Sequence, residues 1–522
     1  MKKIVYFLIS CTFFIYSITA DAQSICLDNT FGNGGIVTTD IANVHNEGNA
    51  IITQPDGKIL VSGNSYGSGI VLLRYNQNGS LDTTFGVSGI TLNAFGTNIN
   101  NGFDLTLQPD EKIIVVGQIS NGTGSNQQYA ITLLRYNING SLDSSFGSGG
   151  IVLTALGLGF KEALSVALQT DGKIVACGEL NGDLAVLRYK TNGDLDSTFA
   201  TNGIASIHFT TGNTEYGYSV KIQDDGKIVV AGQSYTNSIL MHYIIARLNV
   251  DGSIDINYGV GGKISGSMGS MSFAHSIDIQ SNGKLIVAID STTTNGKEQR
   301  ILLRYNVLGI IDTSFGACGK VITDVWGNGV LRVGQCLLVK PDDGILLTGI
   351  VSNGAFGSEY TVEKFTADGI IDSSFATNGI VRIPFGYTSA TNSAYDITLQ
   401  SDGKILIVGV KMNTLNSTYD ILVTRLTRRL IFNDINHGKE NCNINAFPNP
   451  FKSSTTIQFN TELNGAELTI YNIFGQNVKQ LNNISGQNII LHRENLSCGV
   501  YIMRLIQKNK TLATTKLIIT DD

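Results

Sequence analysis

Arg74 to Gly86 reads RYNQNGSLDTTFG, and copies of it recur at intervals of 53 to 61 residues along the 522-residue chain. They begin at Arg135 (RYNINGSLDSSFG), Arg188 (RYKTNGDLDSTFA), Arg247 (RLNVDGSIDINYG), Arg304 (RYNVLGIIDTSFG) and Lys364 (KFTADGIIDSSFA). Two halves complete the set: Leu27 to Gly32 (LDNTFG) stands alone near the start, and Arg425 with Leu426 stands alone at the end of the array. A fixed period outweighs length as a guide to domain number, so residues 23–431 read as one repeat domain of seven units.

Each period holds four short runs rich in Val, Ile, Leu and Thr. In the first full copy they are Gly89 to Asn93, Phe103 to Gln108, Lys112 to Gly117 and Ile131 to Asn137. The second and third are joined by a tight turn that recurs as QPDGK (Gln54 to Lys58), QTDGK, QDDGK, QSNGK and QSDGK, whose Asp-Gly or Asn-Gly suits a hairpin reversal. With 59 Gly, 6 Pro and 15 % charged residues, the composition is all-β. Four strands per unit predict a propeller blade.

Spacing divides the two ends of the blades. From the recurring Arg to the next Leu or Ile the count is seven in all six intact copies, whereas the intervals holding the loops between runs one and two and between runs three and four vary by several residues. In an antiparallel sheet those two loops emerge on one side and the fixed turns on the other. One face is therefore repetitive, the other variable. The split motif predicts a seven-bladed β-propeller closed by its amino-terminal strand, with an open solenoid as the alternative.

Lys2 and Lys3, an apolar run from Ile4 to Ile18, and Ala20-Asp21-Ala22 predict a signal peptide over 1–22. A lipoprotein reading at Cys11 competes with it, on a shorter apolar run. Nothing later approaches the roughly 20 apolar residues of a membrane helix. A net charge of -6 leaves no basic surface for nucleic acid. Beyond the leader the cysteines are Cys26, Cys177, Cys318, Cys336, Cys442 and Cys498. Cys177 and Cys336 read as small core residues, and Cys442 with Cys498 is a candidate pair in an oxidising compartment.

After Leu430 the period is lost. A polar linker over 432–444 leads into about 80 residues with five strand-like runs, which predict a small carboxyl-terminal β-sandwich over 445–522. Its FPNPF (Phe447 to Phe451), IYNIFGQNV (Ile470 to Val478), LSCGVYIMRL (Leu496 to Leu505) and terminal KLIIT resemble, in order, the type A carboxyl-terminal sorting domain of the Bacteroidota type IX secretion system. Cys498 departs from the small residue or Pro that usually precedes this Gly. The resemblance implies export across the outer membrane by that machinery, removal of the module by its sortase-like peptidase, and release or attachment at the cell surface. The array, with LDxTFG, QxDGKIxVxG and RYNxxG, resembles the delta-60 repeat family, which implies a propeller-like fold and brings no shared catalytic activity; Ile289, where six copies have Gly, reads as a change in a single turn.

The LDxTF aspartates (Asp28, Asp82, Asp143, Asp196, Asp255, Asp312, Asp372) occur once per unit, whereas calcium needs about six to eight converging oxygens, so they read as turn caps. The recurring Arg reads as a structural bond between blades. Six histidines are scattered through different registers, the glycines read as turn residues, and no HExxH, GxSxG or phosphate loop is present. No cofactor or metal is expected. Six residues past the Gly that opens run one lie Ile41, Phe95, Leu156, Phe209, Met268 and Phe385, with Trp326 one position later. This register reads as an apolar plug or as a stacking platform for sugars, for which Trp326, Phe95, Phe209 and Phe385 are the candidate contacts. Glu215, Asp290, Asp324 and Glu359 lie near the same loops and would have to stand within about 5 to 10 Å of each other to act as a glycosidase pair. The expectation is a monomeric, non-enzymatic surface or secreted binding protein whose ligand is a glycan or another surface polymer. A carbohydrate-active enzyme with carboxylates at the ring mouth is the alternative.

Overall fold

The structure is a computed structural model that describes residues 23–95, 100–121, 128–154, 161–210, 212–236, 240–293, 296, 298–324, 336–352, 358–385, 392–430, 444–472, 477–508 and 510–521. The leader over 1–22, most of the linker, Leu156, Trp326 and Cys442 lie outside them. The chain divides into two compact units between 431 and 432.

Among the described residues the first unit contains seven antiparallel sheets. Blade 1 runs from an inner strand, Asn46–Thr53, through Ile59–Ser65 and Gly69–Tyr75 to an outer strand, Ile90–Asn93. The inner strands of blades 2 to 7 are Asn100–Leu107, Lys161–Leu168, Thr214–Ile222, Met271–Ile279, Cys336–Val339 and Ser393–Leu399. Each inner strand packs on the next, and the seventh returns to the first, which closes the ring. The middle strands of blade 1 are buried along their whole length, because each blade is covered on both faces by its neighbours. Their apolar side chains form seven cores, one between each pair of adjacent blades.

The structure regroups the four runs. Ile90–Asn93, the first run of its period, pairs with Gly69–Tyr75 of the preceding period, so a blade consists of runs two, three and four followed by the next run one. RYNQNGSLDTTFG therefore lies inside a blade, between its third and outer strands. It still joins blades through docking: Gly86 N–H donates to Asn139 O of the next copy at 2.9 Å, and Arg74 Nη1 reaches Ile138 O. In the seventh blade the outer strand is Ile36–Thr39 from the amino terminus, paired with Thr418–Leu430.

The recurrent charges complete this joint. Arg74 Nε donates to Asp82 Oδ2 at 2.8 Å, Thr84 N–H and Oγ1 donate to Oδ1, and Lys58 of the tight turn stands 3.2 Å away. The guanidinium lies 4.5 Å over the buried Phe85 ring. The same set recurs around the ring, with Lys364 replacing Arg in blade 6. Burial alone would raise the Asp82 carboxyl, but the hydrogen bonds from Thr84 and Lys58 and the charge of Arg74 outweigh it and hold it well below the usual range. The aspartates are turn caps saturated by protein cations.

In the tight turn a single position takes a positive φ; Gly holds it in five blades, and where Glu111 or Asp343 stands there it adopts φ 63° or 62° itself. The Gly of KIxVxG, read as a turn residue, sits within the second strand. A Cβ on Gly117 would lie 1.8 Å from Asn101 O of the inner strand. Ile289 occupies this strand register in blade 5, paired with Ala274 and buried in the core between blades 4 and 5.

The second unit is one five-stranded sheet wrapped on a single core that includes Ile457, Leu468, Ile470, Met503 and Leu517. The runs around 456–460 and 466–472 belong to one strand, Ser454–Tyr471, whose first half pairs with Ile444–Phe447 and whose second half pairs with Gly499–Gln507. Irregular register between 458 and 468 accompanies the change of partner.

Candidate functional site

The seven inner strands enclose a channel of about 540 Å³. Six of them carry a β-bulge at the same place, after Gly48, Gly102, Ala163, Gly217, Ala274 and Ala394. The extra residues, Asn49, Phe103, Leu164, Tyr218, His275 and Tyr395, line the channel. In five of these six strands the next residue reaches toward the following blade; in blade 1 it is Ala50, which packs in the apolar core. Asp396 Oδ2 accepts Ile51 N–H at 2.8 Å, Asp104 Oδ2 accepts Val166 N–H at 2.8 Å, and Ser165, Ser219 and Ser276 accept from Val220, Ile277 and Leu337. These contacts form a polar girdle that satisfies backbone freed by the bulges. Cys336, expected in an apolar core, belongs to this girdle and directs Sγ to Asp396 Oδ1 at 3.0 Å. Burial pushes Asp396 up to about 6. Cys177 is buried as expected, with its Sγ on Gly217 O.

The inner strands begin at the variable face, so their first residues form the mouth of the channel. On blades 4 and 5 a ladder of half-buried rings runs along it. Tyr235 stacks on Tyr216 at 6.1 Å, Tyr216 on Tyr218 at 6.0 Å, Tyr218 on His275 at 5.2 Å, and His275 meets Phe273 at 5.6 Å. A second aromatic group stands across the ring on blades 7 and 1, where His45 lies 5.4 Å from Tyr419 and 5.8 Å from Tyr66.

Beside the ladder, Glu162 and Glu179 face each other across the first two strands of blade 3, with Lys161 adjacent. Both carboxylates are buried. Burial, reinforced by repulsion from Glu179, pushes Glu162 up to about 8, and burial pushes Glu179 up to about 7. Burial and the charge of Glu162 also raise Tyr218, so its phenol keeps its proton at neutral pH. The mouth thus offers flat apolar faces beside O–H donors and a carboxyl pair poised to share a proton, a combination that can stack a ring and hydrogen-bond its rim.

Except for Asp290, the described residues singled out by sequence fall elsewhere. Phe95, Phe209 and Phe385 are half-buried and pack on the cores between blades 1 and 2, 3 and 4, and 6 and 7; Lys263 Nζ lies 5.3 Å from the Phe209 ring centre, and Tyr360 meets Phe385 edge-on. Asp290 Oδ2 stands 3.5 Å from His275 Nε2 in the ladder. Glu359 lies 3.9 Å from Arg382, and Glu215 is buried beneath His208. The ladder escaped sequence reading because four of its members sit on the second run of two periods, where the bulge interrupts the alternation that would mark one face, and Tyr235 joins them from the neighbouring run.

A family described as a secretion system C-terminal sorting domain matches residues 445–520. A family described as a domain of unknown function (DUF5122) beta-propeller matches residues 54–85, 108–146, 169–199, 223–255 and 280–315. No curated protein matches the chain. Similar solved structures include an ulvan lyase, a polysaccharide lyase (12 % identity, 74 % of this chain and 95 % of that one, TM-score 0.45). Others are virginiamycin B lyase from Staphylococcus aureus (11 %, 74 % and 98 %, TM-score 0.39) and α-L-arabinanase from Cellvibrio cellulosa (12 %, 53 % and 96 %, TM-score 0.29).

Proposed function

We propose that this β-propeller protein, whose type IX sorting domain engages the secretion machinery and takes it to the cell surface or beyond, binds a polysaccharide across the mouth of its channel without turning it over. The observation that carries the reading is the aromatic ladder from Tyr235 through Tyr216 and Tyr218 to His275 and Phe273, opposed by His45, Tyr419 and Tyr66 on the far side of the ring. Two aromatic groups separated by the channel suit a ligand with several rings. Pyranose faces stack on the tyrosines, while Glu162 and the phenols meet their hydroxyls.

The test is binding of the full chain to a glycan array, followed by titration of any polysaccharide that binds. Tyr216→Ala removes the central ring and is expected to weaken binding about 5- to 30-fold, on the order of 1–2 kcal/mol, whereas Tyr216→Phe keeps most of the affinity. Equal binding by wild type and Tyr216→Ala would remove the ladder from the site.

The pairing of Glu162 with Glu179 favours a second reading, a carbohydrate-active enzyme in which the higher carboxyl donates a proton and the lower accepts one. Release of shorter chains from a bound polysaccharide, abolished by Glu162→Gln while binding persists, would establish it over the first.

A further inference from the structure

At the variable-face end of the junction between blades 3 and 4, three successive elements bring Asp183, His208 and Glu215 together. Asp183 opens the third strand of blade 3, His208 follows its outer strand Ile204–Ile207, and Glu215 is the second residue of the inner strand of blade 4. One donor atom from each of the three residues lies within 4.8 Å of the others. Asp183 Oδ1 is 2.7 Å from His208 Nδ1, and Glu215 Oε2 is 3.5 Å from it.

Glu215 is fully buried. Its Oε1 accepts Phe209 N–H, Thr210 N–H and the Ser234 hydroxyl, each at 3.3 Å. Its Oε2 accepts no hydrogen bond among the described residues and points to the imidazole. An ionised carboxylate buried with one oxygen uncompensated is costly, and a cation at that oxygen would offset the cost. Asp183 has the same division: Ser206 Oγ donates to Oδ2 at 2.5 Å, leaving Oδ1 toward the histidine. Carboxylates oriented through one oxygen with the other directed to a common point are what a metal site requires of its surroundings.

We propose that Asp183, His208 and Glu215 bind a zinc ion. An imidazole nitrogen among three donors disfavours calcium and magnesium, which take oxygen, while two carboxylates and one imidazole lie within the usual ligand set of zinc. Tetrahedral zinc at about 2.0–2.2 Å from each donor sets the donors about 3.3 Å apart. The Asp183–His208 contact therefore opens slightly and the widest separation closes. Both side chains are partly exposed, at 33 % and 46 %, so these adjustments are made at the surface while Glu215 stays in place. Three protein ligands leave a fourth position open toward solvent on the variable face, for water or for an oxygen of a bound molecule. The site does not rest on the polysaccharide reading.

The full chain, stripped with chelator and dialysed, is titrated with zinc chloride, with calcium and magnesium chlorides in parallel, and its retained metal is measured by mass spectrometry. One equivalent of zinc is expected, retained in the presence of excess calcium. His208→Ala, at an exposed position that leaves the core intact, is expected to lower zinc affinity by at least 100-fold with an unchanged circular dichroism spectrum. Asp183→Asn, which keeps an acceptor for Ser206, tests the site should His208→Ala fold poorly. Ser206→Ala, acting through Asp183, is expected to weaken zinc about 10-fold. No zinc retained by wild type, equal retention by the His208 and Asp183 variants, or displacement of zinc by calcium would overturn the assignment and leave a surface ion pair between His208 and Asp183.

Discussion

Replacing Asp28 by Asn breaks the Arg–Asp joint that, alone among the seven, is made between distant parts of the chain. Arg425 Nε donates to Asp28 Oδ2 at 2.9 Å, although the two residues are 397 apart in sequence. Their side chains are 4 % and 5 % exposed, and the guanidinium also lies 4.5 Å over Phe31. Asn keeps an acceptor for Thr30, which donates to Asp28 Oδ1 at 3.0 and 2.7 Å, but it leaves Arg425 buried without a counter-charge. Removing one partner of a buried pair costs about 3–5 kcal/mol. A unit of roughly 400 residues has an unfolding entropy on the order of 0.8 kcal/mol/K, so the melting temperature should fall by about 4–6 °C.

Position distinguishes this cost from an ordinary lost ion pair. Asp143→Asn removes the equivalent partner of Arg135, 2.7 Å away, in blade 2, where the outer strand follows its own blade without a break in the chain. Asp28→Asn should therefore accelerate amide exchange selectively in residues 23–39 and 418–430, and Asp143→Asn should not. Burial raises the Asp28 carboxyl, while Thr30, Arg425 and Lys404 lower it by more, so its folded value lies below the unfolded one of about 3.9. The stabilisation is thus present above about pH 4 and lost as pH falls through the folded value, and the gap between wild type and Asp28→Asn should close in acid. A melting shift under 1 °C, or identical exchange patterns for the two variants, would refute the seam.

At the channel mouth the sign reverses. Glu162 and Glu179 have folded values raised to about 8 and about 7, so the stability tied to their protonated forms is complete below about pH 4 and lost as pH rises through those values. Glu162→Gln should raise the stability at pH 8–9 by an amount on the order of 2 kcal/mol, with no gain at pH 4, as thermal melts across pH would show. Gly117→Ala places a Cβ 1.8 Å from Asn101 O, so backbone must move; a loss of about 2–3 kcal/mol is expected by denaturant titration. Gly149→Ala, whose Cβ meets nothing within 4 Å, should cost less despite φ +64°.

The ring was legible because its joint is written seven times. Arg, Asp and the aromatic residue beneath them recur at fixed spacing, and their division between Leu27 and Arg425 foretold the closure that Arg425 makes with Asp28. Strand grouping was less legible, since a period can be cut at any point and pairing alone shows that Ile90 belongs with Leu73. Sites at the variable end were legible only as single residues such as Glu215 and Asp290, not as constellations. Asp183, His208 and Glu215 are separated by 25 and 7 residues, and Tyr235 meets Tyr216 from the next strand. Neither constellation recurs, so aligning the copies averages it away.

That difference between the ends is chemical as well as statistical. On the fixed face, Asp28, Asp82, Asp143, Asp196, Asp312 and Asp372 are all drawn below the ordinary carboxylate range, because protein cations and hydroxyls already surround them. Along the channel and its mouth, Asp104, Glu162, Glu179 and Asp396 are all raised, because burial is not matched by protein partners. A carboxylate whose charge is already spent on its own fold has nothing left for a ligand, whereas an undercompensated one changes state when a proton, a hydroxyl or a cation arrives. Joints of the first kind hold the second kind in place, which is why a ring of near-identical blades can carry a site found on only a few of them.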